Sequence, residues 1–164
     1  MLKRLAMAGA LFAPTGYFSA KSDNQAAASF VRNAICILYP NGSEVKGIVS
    51  FSQDSITSPT KIVATVRGLT PNNKHGIHIH EFGDLTEGCK TAGPHYNPFN
   101  KRHGGLDGEE RHVGDLGNIS AYYQGTGYLC IKTAKITLFG ENSVVGRSVV
   151  VHANEDDEGR GNNE

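Results

Sequence analysis

From Asn33 onward, apolar residues alternate with polar ones at period two over several short stretches, each bounded by Gly, Pro, Asn, Asp or Ser. Successive side chains of an extended chain point to opposite faces, so this pattern calls for half-buried antiparallel strands. No stretch offers an amphipathic helix with caps. The expected strands are Ala34–Tyr39, Val45–Gln53, Lys61–Gly68, Gly76–Phe82, Asn118–Tyr123, Tyr128–Thr133, Ile136–Phe139 and Ser148–His152. Twenty glycines and six prolines supply turns such as Pro40–Gly42 and Gln124–Gly127. Many short strands joined by Gly-rich turns favour an all-β sandwich or Greek-key antiparallel barrel. The length of 164 residues suits one domain, placed at 33–164.

Residues 1–32 differ in character and are set apart as an amino-terminal extension. Lys3 and Arg4 precede the apolar run Leu5–Ala13, and no acid occurs before Asp23. That run is too short to span a bilayer, so no membrane span is expected. A secretory leader cut near Ser19-Ala20 or Ala26–Ala28 fits, and so do an organellar presequence and an untargeted extension. The chain is cytoplasmic in the last case and secreted or organellar in the others.

Sixteen basic and sixteen acidic residues balance, which gives no reason to expect nucleic acid or an anionic membrane as partner. Any steering of a charged substrate has to be local. Cys36, Cys89 and Cys130 are too few and too scattered for a disulfide framework. Cys36 and Cys130 fall in strand patterns and are expected to be buried small hydrophobes.

The segment of about 35 residues from Gly83 to Gly117 has little strand pattern of its own, and loops that long are usually functional or disordered. All seven histidines lie between positions 75 and 152. In Gly76–Phe82, alternation sends His78 and His80 to one face and Ile77 and Ile79 to the other, with the two imidazoles about 7 Å apart at Cα. Such a pair can chelate one metal, although two surface histidines would read the same way. His95, His103, His112 and Asp115 lie in the long loop and its exit. Three imidazoles and a carboxylate make a tetrahedral zinc set, and metal binding would offset the ordering entropy of a loop without a core. A solvated polar loop is the alternative. His152 ends the apolar strand Val149–Val151 and alone reads as a surface residue; the joint occurrence of the three elements is what points to a metal centre.

The stretch His75-Gly-Ile-His-Ile-His-Glu-Phe-Gly-Asp84 resembles the copper-binding signature of the copper/zinc superoxide dismutases. So do Gly88-Cys89, Ala92–Pro98, His103–Gly105, Arg111–Asn118 and Gly146–Ala153, in order and at family spacing. The resemblance implies the family's Greek-key barrel, copper and zinc as cofactors, and superoxide as substrate. It implies that His78, His80, His95 and His152 bind copper and that His95, His103, His112 and Asp115 bind zinc. His95 is then the shared, catalytic ring, which takes up a proton and later donates it. Asp156 matches the outer carboxylate that links His78 to His103, and His75 matches a structural histidine. A homodimer and a copper chaperone are partners the resemblance allows. A non-catalytic copper- and zinc-binding module, for buffering or chaperone-like transfer, is the competing reading.

After Glu164 the family's last strand, its substrate-guiding arginine and the cysteine that pairs with Cys89 do not follow. The sequence is then either an incomplete copy or a variant with impaired folding and activity; for the 164 residues as they stand the expectation is a barrel without that strand, Cys89 without its family disulfide, and metal binding that outlasts fast, salt-dependent turnover.

Overall fold

The computed structural model describes residues 7–8 and 31–161. The remainder of the expected extension and the last three residues lie outside the described residues. Among the described residues there are eight strands: β1 (Met7–Ala8), β2 (Arg32–Tyr39), β3 (Lys46–Gln53), β4 (Thr60–Arg67), β5 (Lys74–His80), β6 (Asp115–Ser120), β7 (Gly127–Thr133) and β8 (Ser148–Val151). One sheet has the order β1-β2-β3-β4-β7 and the other β6-β5-β8, with every pairing antiparallel. This is the all-β architecture expected from the alternation. Among the described residues, no helix is long and apolar enough to cross a membrane.

Alternation places the core directly. Ala34, Cys36 and Leu38 of β2, Val49 and Phe51 of β3, and Ile62, Ala64 and Val66 of β4 are buried. They meet Ile77 and Ile79 of β5, Leu116 and Ile119 of β6, and Val149 and Val151 of β8 in one cluster. Each large side chain so buried contributes roughly 1.5–3 kcal/mol relative to exposure. The outward partners Ile35, Ile37 and Ile48 stay exposed. Cys36 behaves as expected, and burial pushes its thiol up to about 12. Cys130 does not: it sits on the outward face of β7 and is exposed, because its neighbours in register put it one residue out of phase with buried Gly127.

Two expected strands are corrected. Ile136 and Leu138 are buried as alternation predicts, yet Ile136–Phe139 is not a strand. Side chains satisfy much of its main chain. Thr60 Oγ1 donates to the Ile136 carbonyl at 2.7 Å, the Leu138 amide donates to Gln53 Oε1 at 2.7 Å, and Arg32 donates to the Leu138 carbonyl at 2.9 Å. The strand expected at Asn118–Tyr123 begins at Asp115 and ends at Ser120. A turn closed by Gly125 N–H to the Tyr122 carbonyl ends the extended run and leaves Tyr122 and Tyr123 exposed.

β5 carries the chemistry. It is the central strand of its sheet, and all six residues from His75 to His80 are buried. Ile77 and Ile79 enter the core, while the long loop covers the histidine face. That loop holds one 3-10 turn, Gly88–Lys90, and is tied to the sheet by its own main chain. Ile79 N–H donates to the Gly114 carbonyl at 2.8 Å, Gly114 N–H to the Tyr96 carbonyl at 2.9 Å, and Tyr96 N–H to the Ile79 carbonyl at 2.8 Å. Position 114 requires glycine, since a Cβ there would lie 2.1 Å from the Ile79 oxygen.

Candidate metal centre

Strand alternation and the loop anchor together bring all the expected donors to one place. Three donor groups, each with its atoms within 4.8 Å of one another, are formed by His78, His80, His95 and His152, by His95, His103, His112 and Asp115, and by His78, His103 and Asp156. The rings are close-set: His78 and His95 stack with centroids 3.9 Å apart, and His78 and His152 meet edge-on at 4.8 Å. His95 belongs to both four-residue groups. A cleft of about 740 Å³ opens onto His78, His95, His103, His112 and His152.

The second group converges on one oxygen. Asp115 Oδ1 lies 3.0 Å from His95 Nδ1, 3.1 Å from His103 Nδ1 and 3.3 Å from His112 Nδ1. Four donors held at about 2.0–2.1 Å from a tetrahedral ion are about 3.3 Å from one another, so this spacing suits zinc. The carboxylate is held from behind: Oδ2 accepts from the Gly104 and His112 amides at 3.1 and 2.9 Å. Arg111, itself 3% exposed, grips the same turn. It donates to the Asp115 carbonyl at 2.6 Å and the His112 carbonyl at 3.3 Å, and reaches Thr133 Oγ1 on β7 at 3.0 Å.

Hydrogen bonds outside the centre decide which nitrogen of each ring faces in. Asp156 accepts from His78 Nε2 at 2.9 Å and from His103 Nε2 at 2.7 Å. His80 Nδ1 donates to the Gly93 carbonyl at 2.7 Å. Each ring thereby holds its proton outward and turns an unprotonated nitrogen inward. The inward nitrogens of these three rings, His78 Nδ1, His80 Nε2 and His103 Nδ1, and with them His112 Nδ1 and His152 Nε2, are buried and make no hydrogen bond within the protein. Leaving so many buried nitrogens without a partner is costly, and metal ligation is the chemistry that this donor set fits. His75 stands apart: its Nδ1 donates to the His152 carbonyl at 2.9 Å, tying the end of β8 to β5.

Electrostatics favour neutral rings at His78, His80, His112 and His152 and charged acids, the protonation states that metal ligation needs, with His103 the exception. Burial pushes His80 down to about 4 and His152 to about 3, and lowers His78 and His112 as well. Burial also opposes a charge on His103, but its bond to Asp156 and the nearby Asp115 outweigh it and raise the ring. Burial disfavours charge on Asp115, yet the bonds from His95 and the Gly104 amide and the neighbouring rings bring it to about 2. Asp156 is likewise held well below the usual carboxylate range by His78, the Glu158 amide and His103.

The structure therefore brings together every site residue the sequence singled out around the metal centre. Cys89, in the 3-10 turn, is half-buried and forms no disulfide among the described residues. Three supports were not foreseen: Arg111, the Gly93 carbonyl, and Asn118, whose side chain brackets Asp156 through its amide and carbonyl at 2.8 and 2.9 Å. A main-chain carbonyl leaves no trace in residue type. Arg111 and Asn118 fell inside a matched motif, but nothing in their spacing distinguishes a brace from a surface residue.

An all-β protein with two histidine-rich donor groups sharing one ring defines a class of protein fitted to hold two metal ions side by side. Comparison places the chain within that class. The family model for copper/zinc superoxide dismutase matches residues 45–164. The chain is 53% identical over 129 residues to a copper–zinc superoxide dismutase of Onchocerca volvulus, covering 79% of this chain and 80% of the relative. It is 50% identical over 132 residues to copper–zinc superoxide dismutase 5 of Dictyostelium discoideum, covering 80% and 85%. The chain belongs to the copper/zinc superoxide dismutase family.

Proposed function

We propose that this chain disproportionates two superoxide ions and two protons to dioxygen and hydrogen peroxide. In this reading His78, His80, His95 and His152 hold copper, and His95, His103, His112 and Asp115 hold zinc. The observation that carries it is the membership of His95 in both donor groups. Copper held there would supply one-electron redox chemistry, and zinc a fixed charge that does not change oxidation state. The protein does the rest.

Asp156 spans the two half-sites, so the orientations of His78 and His103 are set by a single carboxylate. The Gly93 carbonyl orients the His80 ring, and His75 ties the main chain of His152 to β5. His95 turns Nδ1 toward Asp115, which leaves its remaining nitrogen for the His78, His80 and His152 group. That nitrogen is where the ring takes up a proton and from which it passes the proton to the peroxide product. The cleft gives a small anion access to these rings. A homodimer and delivery of copper by a chaperone belong to the same proposal as partners.

The test is superoxide consumption by the chain loaded with copper and zinc, in the presence of a chelator that silences free copper. Activity well above the chelated-copper control is expected. Activity equal to that control would leave the chain as a metal-binding module.

A further inference from the structure

The sequence contains two Asn-x-Ser motifs, Asn41-Gly42-Ser43 and Asn118-Ile119-Ser120. In a chain that enters the secretory route, such a motif accepts an N-linked glycan when it lies on the surface. The structure separates the two sharply.

Asn118 lies within β6 and both ends of its side-chain amide are engaged. Nδ2 donates to the Asp156 carbonyl at 2.9 Å, and Oδ1 accepts from the Asp156 amide at 2.8 Å. A sugar on Nδ2 would have to displace the main chain of the residue that aligns His78 and His103. The metal centre and a glycan at Asn118 exclude one another.

Asn41 lies in the turn between β2 and β3, and both it and Gly42 are exposed. Gly42 has φ +65°, and a Cβ built there would meet nothing within 4 Å. No residue of Pro40–Val45 lines the metal cleft, so a bulky group here leaves the path to the histidines open. The third residue, Ser43, accepts from the Val45 amide at 3.3 Å. The amino-terminal sequence offers a route to the modifying enzyme, with Lys3 and Arg4 ahead of the apolar run Leu5–Ala13.

We propose that Asn41 carries an N-linked glycan and that Asn118 does not. The donor is a lipid-linked oligosaccharide pyrophosphate. The bond from the anomeric carbon to phosphate oxygen breaks, a bond to Asn41 Nδ2 forms, the displaced amide proton goes to a base, and the lipid pyrophosphate leaves. The reaction involves no change of oxidation state. An organellar destination for residues 1–32 makes the opposite prediction, because that route bypasses the transferase.

The test expresses the full chain in a eukaryotic secretory host in two forms, as it stands and with a known secretory leader fused ahead of Met1. Total cellular and secreted protein is treated with a glycan-removing amidase, and tryptic peptides 33–46 and 112–132 are read by mass spectrometry. Both forms should show one amidase-sensitive mobility step and Asn-to-Asp conversion at position 41 alone. Ser43→Ala should abolish the step, Ser43→Thr should preserve or raise occupancy, and Ser120→Ala should change nothing. Because total protein is read, a variant that folds poorly still reports its glycan. Absence of the step in both forms, or a glycan at Asn118, overturns the proposal. Modification only behind the added leader overturns it for the native chain and favours the organellar route.

Discussion

Arg111 donates to the main-chain carbonyl of Asp115 across 2.6 Å, from a side chain that is almost wholly buried and has no carboxylate within ion-pair distance among the described residues. Its second terminal nitrogen, Nη2, reaches Thr133 on β7. Burial lowers its pKa, with Asp115 and Asp107 opposing that shift. Arg111 thus fastens the turn that carries His112 and Asp115 to the wall of the barrel.

Replacing Arg111 with Ala should weaken zinc by about 10-fold or more while leaving copper less affected, in line with supports behind a metal ligand. The metal-free chain should lose about 1–3 kcal/mol, since two carbonyls are left without their donor. Chelator-competition titrations for each metal, with denaturant unfolding of the stripped protein, check both. Equal loss of the two metals would place Arg111 in general stability instead of the zinc half.

Asp156→Asn keeps the shape but offers one acceptor where two ring N–H groups now converge. One of His78 and His103 must lose its partner, and its inward nitrogen is no longer held unprotonated. A fall of about 10- to 100-fold in zinc affinity is expected. Unchanged affinity at both metals would remove Asp156 from the site.

His95→Ala should weaken both metals, because the ring belongs to both donor groups. His103→Ala should weaken zinc first and copper less. Parallel losses in the two variants would contradict a shared ring, as would copper magnetically isolated from cobalt placed in the zinc set.

The stripped protein should lose stability on mild acidification. Burial holds His80 and His152 in the fold at about 4 and about 3, below the ordinary imidazole value of 6.5. Above pH 6.5 they are neutral in both states and carry no penalty. Below it the unfolded chain gains protons that the folded chain refuses, and stability falls until the folded pKa is reached. For His80 alone this amounts to roughly 3 kcal/mol. His103, raised in the fold, acts oppositely, adding stability below 6.5 that is lost as pH rises through its folded value. Asp115 contributes above 3.8 and is lost toward about 2. Urea titrations between pH 8 and pH 3 should show the net decline beginning near 6.5, and a flat profile would contradict it.

Much of this was legible in the sequence because strand periodicity and ligand type are both local. His78 and His80 share a face because they are two residues apart, and Ile77 and Ile79 fill the core for the same reason. Ile136–Phe139 misled because burial alternates there without a partner strand, its main chain being met by Thr60, Gln53 and Arg32. Cys130 misled because period two alone does not say which face is inside; the register with β4 decides that. The supports from Gly93, Asn118 and Arg111 depend on contacts between distant segments, and residue type alone does not announce them.

Ile79, Tyr96 and Gly114 each donate one main-chain hydrogen bond and accept one from the next, closing a ring of three. Their immediate chain neighbours include His78, His80, His95 and Asp115. Donors separated widely along the chain are thus spaced by backbone that is already fastened, much as a macrocycle holds its nitrogens before it meets a cation. The entropy of gathering the ligands is met largely by folding, so more of the ions' binding free energy remains for affinity and less is spent on assembling the loop.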